Sequence, residues 1–133
     1  MPMLVKTKLI QTNFKGIGLF ADEFIVKNQV IYKDDVNFDR IITQAEVQRM
    51  PALLRDFVKQ NAGFSQKREE YYLCCDNARF WNHSNSPNTK YLAHEGIVIS
   101  LINIRKGEEL TADYREFCDY SKTGDMGFVI HEN

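Results

Sequence analysis

The chain has 133 residues, 44% hydrophobic, 12% aromatic and 26% charged, with 17 Lys and Arg against 18 Asp and Glu. Residues 1–133 read as a single domain, and burying about two-thirds of the unfolded surface gives such a chain a real core without disulfide or metal support. The apolar and aromatic content excludes disorder, no apolar run approaches the length of about 18 residues that a membrane helix needs, and a net charge of −1 speaks against direct nucleic-acid binding by phosphate neutralisation.

Met1 to Ile10 carries Lys6 and Lys8 inside its apolar stretch and does not read as a secretory leader. The adjacent Cys74 and Cys75 and the solitary Cys118 make no disulfide framework and no CxxC pair, and His83, His94 and His131 show no ligand spacing. The expectation is an intracellular protein, with no metal site and no membrane contact.

Val5 to Thr12 mixes β-branched and polar residues and reads as an edge-type strand, followed by a turn at Asn13 to Gly18. Leu19 to Ala21 and Val30 to Tyr32 read as short strands, and Asp34 to Arg40 as a polar loop. A helix begins at Thr43, where Thr43 and Glu46 form a capping box and Val47, Met50, Leu54, Phe57 and Val58 recur at helical spacing. Pro51 should kink or divide it, and Asn61-Ala62-Gly63 ends it. Gly63 to Glu70 reads as a mobile polar segment, and Tyr71 to Cys75 as a short buried strand. Asn77 to Asn88 is rich in Asn, Ser and Pro and should be irregular backbone held by side chains. Strands follow at Tyr91 to Ala93, Gly96 to Ile104 and Leu110 to Ala112, with turns at 94–96 and 106–108. The whole is a mostly β, α+β domain with a helical insert at about 43–62.

Gly16-Ile17-Gly18-Leu19-Phe20-Ala21 matches the G-x-G-x-x-A dinucleotide fingerprint, but no helix opens on its second glycine and Asp22 to Tyr32 is strand-like. His83 beside Ser84 suggests a hydrolase pair, yet adjacent residues do not face each other and no G-x-S-x-G elbow exists.

Three segments carry more information together than apart: Lys15-Gly16-Ile17-Gly18-Leu19-Phe20-Ala21, Arg79-Phe80-Trp81-Asn82-His83-Ser84-Asn85-Ser86-Pro87-Asn88, and Gly107-Glu108-Glu109-Leu110-Thr111-Ala112-Asp113-Tyr114. In this order they resemble the SET-domain protein-lysine methyltransferases. The resemblance implies small β-sheets with a knot-like threading of the C-terminal segment, a rare departure from unknotted folds. It implies S-adenosylmethionine as cofactor, with backbone around Lys15, Gly16, Ile17, Gly18 and Leu19 wrapping its methionine end. Asn82 would bond the cofactor's amino group and the His83 backbone the adenine edge, with Arg79 and Phe80 bordering the pocket. Tyr114 matches the active-site tyrosine. Tyr72 is taken to line the lysine channel by analogy, since Tyr71 and Tyr72 point to opposite faces of a strand.

The chemistry agrees. A neutral lysine amine at pH 7 costs about 4.6 kcal/mol against its pKa of about 10.4, and a positive sulfonium and burial both lower that cost. The remainder is alignment in a narrow apolar tube, with a tyrosine hydroxyl and no metal.

Departures from the family sharpen the expectations. The tail from Arg115 to Asn133 has Cys118 alone and no zinc segment, so Phe117, Tyr120 or Phe128 must close the channel. Trp81 replaces the usual aliphatic residue before Asn-His, and Asn85 stands where cysteine is common. Ala112 replaces the Phe or Tyr that limits product methylation in many relatives, so methylation beyond one group is expected. The partner is a lysine-bearing protein or peptide, basic or histone-like, received as an added strand. A homodimer, one chain covering the other's channel, would supply the missing cover. The compact form resembles bacterial, phage or viral versions, placing the protein in the cytoplasm or a host nucleus. The alternative from a different class is a SET-like module that binds peptide or cofactor without methyl transfer.

Overall fold

The computed structural model of the chain describes residues 2–65 and 67–116. In chain order it contains strands β1 (Thr7–Gln11), β2 (Ile17–Ala21), β3 (Val30–Lys33) and β4 (Arg40–Thr43), helices α1 (Gln44–Arg49) and α2 (Ala52–Asn61), then β5 (Gly63–Ser65) and β6 (Glu70–Leu73). After a 3₁₀ turn at Asn77–Phe80 come β7 (Asn82–His83), β8 (Thr89–Leu92), β9 (Ile97–Ser100), β10 (Thr111–Ala112) and a second 3₁₀ turn at Tyr114–Glu116.

Among the described residues the strands make four small sheets, mostly β with few helices as expected: an antiparallel β1-β2 hairpin, β3-β9-β8, β4-β6-β5, and a parallel β7-β10 pair. Alternation decides which faces go inward. In β9, Val98 and Ser100 are buried while Ile97 and Ile99 are half-buried. Buried Ser100 is satisfied, its Oγ donating to Val26 O at 2.6 Å and accepting from Gln29 N at 3.0 Å.

Two cores result. The larger gathers Leu19, Ile25, Ile31, Ile104 and Leu110, all with no exposed surface, with Tyr32, Trp81, Val98 and Ala112. Each fully buried aliphatic side chain there stabilises the fold by about 1.5–3 kcal/mol. The smaller packs the helical insert on its own sheet through Ile42, Val47, Val58, Ala62, Phe64 and Tyr71.

The helix signals act as read. Thr43 Oγ1 accepts from Glu46 N at 3.1 Å, and Glu46 Oε2 accepts from Thr43 N at 2.8 Å. Pro51 divides the helix in two, standing at the N-cap of α2, and α2 ends at Asn61.

Several expectations are corrected. The loop expected at Asp34 to Arg40 stops short of Arg40, which opens the strand Arg40–Thr43, whose Ile41 and Ile42 pair with Tyr72 and Tyr71 of β6. Gly63–Ser65 is a strand rather than mobile chain: Phe64 is 2% exposed and meets Tyr71 edge-on at 4.9 Å. The strand expected at Tyr71 to Cys75 runs Glu70–Leu73, and only Tyr71 in it is fully buried. The expected strand from Gly96 to Ile104 covers Ile97–Ser100, and Ile104 instead makes an isolated bridge to Ile25. The turn expected through Gly18 stops at Gly16, since β2 begins at Ile17.

Candidate functional site

The parallel pair β7-β10 sets Asn82 beside Thr111 and His83 beside Ala112. Asn88 clamps this arrangement: its Oδ1 accepts from Thr111 N at 2.9 Å and its Nδ2 donates to Glu109 O at 2.8 Å. Thr89 Oγ1 adds a bond to Thr111 O at 2.7 Å. The middle and last motifs are therefore one structural unit.

The first motif joins them through its backbone. Gly16 has φ +71°, which favours glycine, and its carbonyl accepts from Thr12 N and Thr12 Oγ1, both at 2.7 Å. Gly18 lies against Asn82: a Cβ there would sit 2.9 Å from Thr12 Cγ2 and 3.1 Å from Asn82 Nδ2. Asn82 Nδ2 donates to Ile17 O at 3.3 Å and to Glu109 Oε2 at 3.4 Å. Lys15 Nζ donates to His83 O at 2.8 Å. Leu19 is fully buried in the larger core, its carbonyl accepting from Leu110 N at 2.8 Å. Arg79 is exposed and stacks its guanidinium on Phe80 at 4.9 Å.

His83 is completely buried and ties Asn85 to Tyr114. Its Nδ1 accepts from Tyr114 N at 3.1 Å, which puts the ring proton on Nε2, donated to Asn85 Oδ1 at 2.9 Å. The His83 and Tyr114 rings meet edge-on at 5.5 Å, and Tyr114 Oη donates to Trp81 O. Asp113 Oδ1 lies 3.8 Å from His83 Nδ1 but bonds Arg115 Nε at 2.8 Å. That guanidinium holds the Asp113 carboxyl below the usual carboxylate range.

Tyr114 also lines a cavity of about 150 Å³ together with Tyr32, Tyr72, Tyr91, Trp81 and Ala112. Cys74 and Arg79 reach the same cavity. Tyr32 Oη donates to Asp39 Oδ2 at 3.1 Å and contacts Cys74 Sγ at 3.7 Å; Tyr91 Oη donates to Asp34 Oδ2 at 2.6 Å. Burial pushes the Tyr32 and Tyr91 phenols above their ordinary range and the Cys74 thiol up to about 12. Tyr72 crosses over Gly63, where a Cβ would fall 2.5 Å from its hydroxyl oxygen. A larger groove of about 740 Å³ shares Tyr32, Asp34, Tyr72 and Tyr91 with the cavity. Its walls carry Asp34, Asp35, Asp39, Glu70, Glu95 and Glu116 against Lys67, Arg68 and Arg115.

The structure thus brings Tyr72, Ala112 and Tyr114 to one cavity, and Lys15, Gly18, Asn82 and His83 to one adjoining cluster. Phe117, Tyr120 and Phe128, with Cys118, lie outside the described residues. Cys74 packs against the larger core, while Cys75 is exposed. Sequence reasoning gave no role to Tyr32 and Tyr91, read as ordinary strand residues, or to Glu109, quoted only as part of the last motif. Among the described residues, no helix is long and apolar enough to cross a membrane.

Comparison with known proteins agrees with this geometry. Histone-lysine N-methyltransferases specific for H3 lysine-36 from Candida albicans and Debaryomyces hansenii are each 31% identical, over 121 and 118 residues, covering 82% and 80% of this chain. The chain spans only 14% and 16% of those relatives' lengths. A candidate histone methyltransferase of Plasmodium falciparum superposes with a TM-score of 0.57 at 22% identity, covering 84% of this chain and 95% of that one. The Neurospora SET domain protein DIM-5, a histone lysine methyltransferase, gives 0.58 at 20% identity, covering 85% and 53%. These likenesses show a shared fold. The SET domain pattern itself matches residues 16–115, the span from the first glycine of the hairpin to the residue after Tyr114, and the chain belongs to the SET-domain family.

Proposed function

We propose that this chain transfers a methyl group from S-adenosylmethionine to a lysine amine of a protein segment. The observation that carries the reading is the junction of two sites: a cavity lined by Tyr114, and a cluster around Asn82 and Gly18 bonded to the same short strands. The cluster suits the cofactor. Gly18 lets the hairpin pack directly against Asn82, and nothing among the described residues donates to Asn82 Oδ1, an acceptor suited to an ammonium group. Lys15, Gly16, Ile17, Gly18 and Leu19 would wrap the methionine end, and Arg79, Phe80 and the His83 backbone would border the adenosine.

When bound, S-adenosylmethionine supplies an electrophilic methyl on sulfur. The protein's task is to deliver a neutral, aligned amine. Asp34, on walls common to groove and cavity, draws the lysine ammonium from the acidic groove. Tyr32, on the same walls, and Cys74, in the cavity, stay protonated, so desolvation there favours the neutral amine. The proton departs toward the groove and solvent. A tyrosine hydroxyl that donates to a carbonyl still accepts on its oxygen, so Tyr114 holds an amine N–H and turns the nitrogen lone pair inward. Ala112 leaves room beside it for an amine that already carries a methyl.

The groove's excess of carboxylates supports a basic, lysine-bearing segment as substrate, histone-like in charge, added as an extended strand. The test is transfer of label from radiolabelled S-adenosylmethionine to core histones and to a cell lysate, with Tyr114→Phe in parallel. Labelled protein bands are expected from the native chain, with at least about a 100-fold loss of rate in the variant. Cofactor binding measured by calorimetry without labelled product in any band would instead favour a binding module.

A further inference from the structure

Two adjacent glutamates in the last motif have different fates. Glu108 takes a local partner, its Oε1 accepting from Arg105 Nε at 2.8 Å. Glu109 turns the other way, and its Oε2 accepts from Asn82 Nδ2 at 3.4 Å. The Glu109 backbone is pinned on both sides: its carbonyl accepts from Asn88 Nδ2 at 2.8 Å, and it bridges Phe20 of β2. Its neighbour Leu110 donates N–H to Leu19 O at 2.8 Å. Among the described residues no cation pairs with Glu109, although it is half-buried. A half-buried carboxylate with only an amide partner needs an explanation.

The amide supplies one. Asn82 Nδ2 meets two groups that only accept, the Ile17 carbonyl and the Glu109 carboxylate. An amide presents donors on nitrogen and an acceptor on oxygen, so nitrogen must face this pair and Oδ1 must face away from it. Glu109 is the charged member of the pair and the stronger acceptor.

We infer that Glu109, given the cofactor reading of Asn82 proposed above, is a positioning residue that locks the Asn82 amide so that Oδ1 is presented to the cofactor's α-ammonium. Without Glu109 the amide is held by Ile17 O alone at 3.3 Å and is easier to reverse, which would set N–H donors against a cation.

The test uses calorimetry on the full chain with two ligands. S-adenosylhomocysteine carries the α-amino group; 5′-methylthioadenosine lacks the amino-acid portion. Glu109→Ala is expected to weaken S-adenosylhomocysteine about tenfold or more and to leave 5′-methylthioadenosine within about twofold. Asn82→Ala should show the same selectivity. Glu109→Gln keeps the shape and an acceptor, and should retain S-adenosylhomocysteine affinity within about threefold even if the alanine variant fails to fold. Equal losses for both ligands would reduce Glu109 to a structural residue and overturn the assignment. So would a glutamine variant that binds S-adenosylhomocysteine about tenfold more weakly than the native chain, because charge rather than orientation would then matter. Loss in Asn82→Ala without loss in Glu109→Ala would sink the role of Glu109 and spare the cofactor reading. No loss in Asn82→Ala would overturn both.

Discussion

The two halves of the site are built differently. The Asn82 cluster is made from consecutive residues and main-chain groups: a glycine hairpin, a two-residue strand and the carbonyls of Ile17 and His83. The Tyr114 cavity is made from single side chains on separate strands, Tyr32 on β3, Tyr72 on β6 and Tyr91 on β8. At Gly18 the cluster has no room for an added side chain, and the Asn82 amide is set by groups held on two short segments of chain. A cavity of side chains depends on every strand keeping its register. His83 joins the halves, its carbonyl in one and its ring against Tyr114 in the other.

The comparison breaks most sharply at Gly18. Gly18→Val would drive atoms into Thr12 and Asn82, and calorimetry should show cofactor affinity down by more than about tenfold. The near-ultraviolet dichroism of the cavity aromatics should change little. Loss of both signals together would show that the halves are not separable.

Ala112→Phe probes the other half. Filling the cavity beside Tyr114 should leave cofactor binding intact and restrict the product to monomethyl-lysine, read by peptide mass. The native chain should proceed to di- or trimethyl-lysine; a native enzyme stopping at one methyl under exhaustive conversion would contradict the role given to Ala112.

A smaller effect is expected at alkaline pH. Cys74 and Tyr32 have folded pKa values raised by burial, so the unfolded chain loses these protons first as pH rises. Their stabilising contribution is complete below the unfolded values and is lost progressively above about pH 8.5 for the thiol and about pH 10 for the phenol. Thermal midpoints should fall across that range, less steeply in Cys74→Ala. An unchanged slope would mean that these groups are solvated.

The smallest effect falls on the link between the halves. Asn85→Leu leaves the buried His83 Nε2–H without its acceptor, and kcat should drop about fivefold with little change in cofactor affinity. The Tyr114 N–H still faces Nδ1, so nitrogen-15 shifts of the imidazole should show the tautomer unchanged; an undiminished kcat would dismiss Asn85 from this role.

Local rules read the insert well. Thr43 and Glu46 cap each other and Pro51 divides the helix because both effects act within one turn of chain. The same rules failed at Phe64, whose three-residue strand has too few positions for a pattern and forms because Tyr71 and β6 lie alongside. They failed again at Arg40–Thr43, where pairing with β6 rather than alternation makes the strand.

The sequence by itself determined the family, the motif residues from Gly16 to Tyr114, the capped and divided helix, and the β-rich class, since these rest on residue identity and short-range geometry. Only the tertiary structure decided that Tyr32 and Tyr91 share a cavity with Tyr114, that Glu109 faces Asn82 while Glu108 faces Arg105, and that His83 is locked between Asn85 and Tyr114. Those choices come from strands far apart in the chain, where burial and unsatisfied donors, not neighbours in sequence, select the partner.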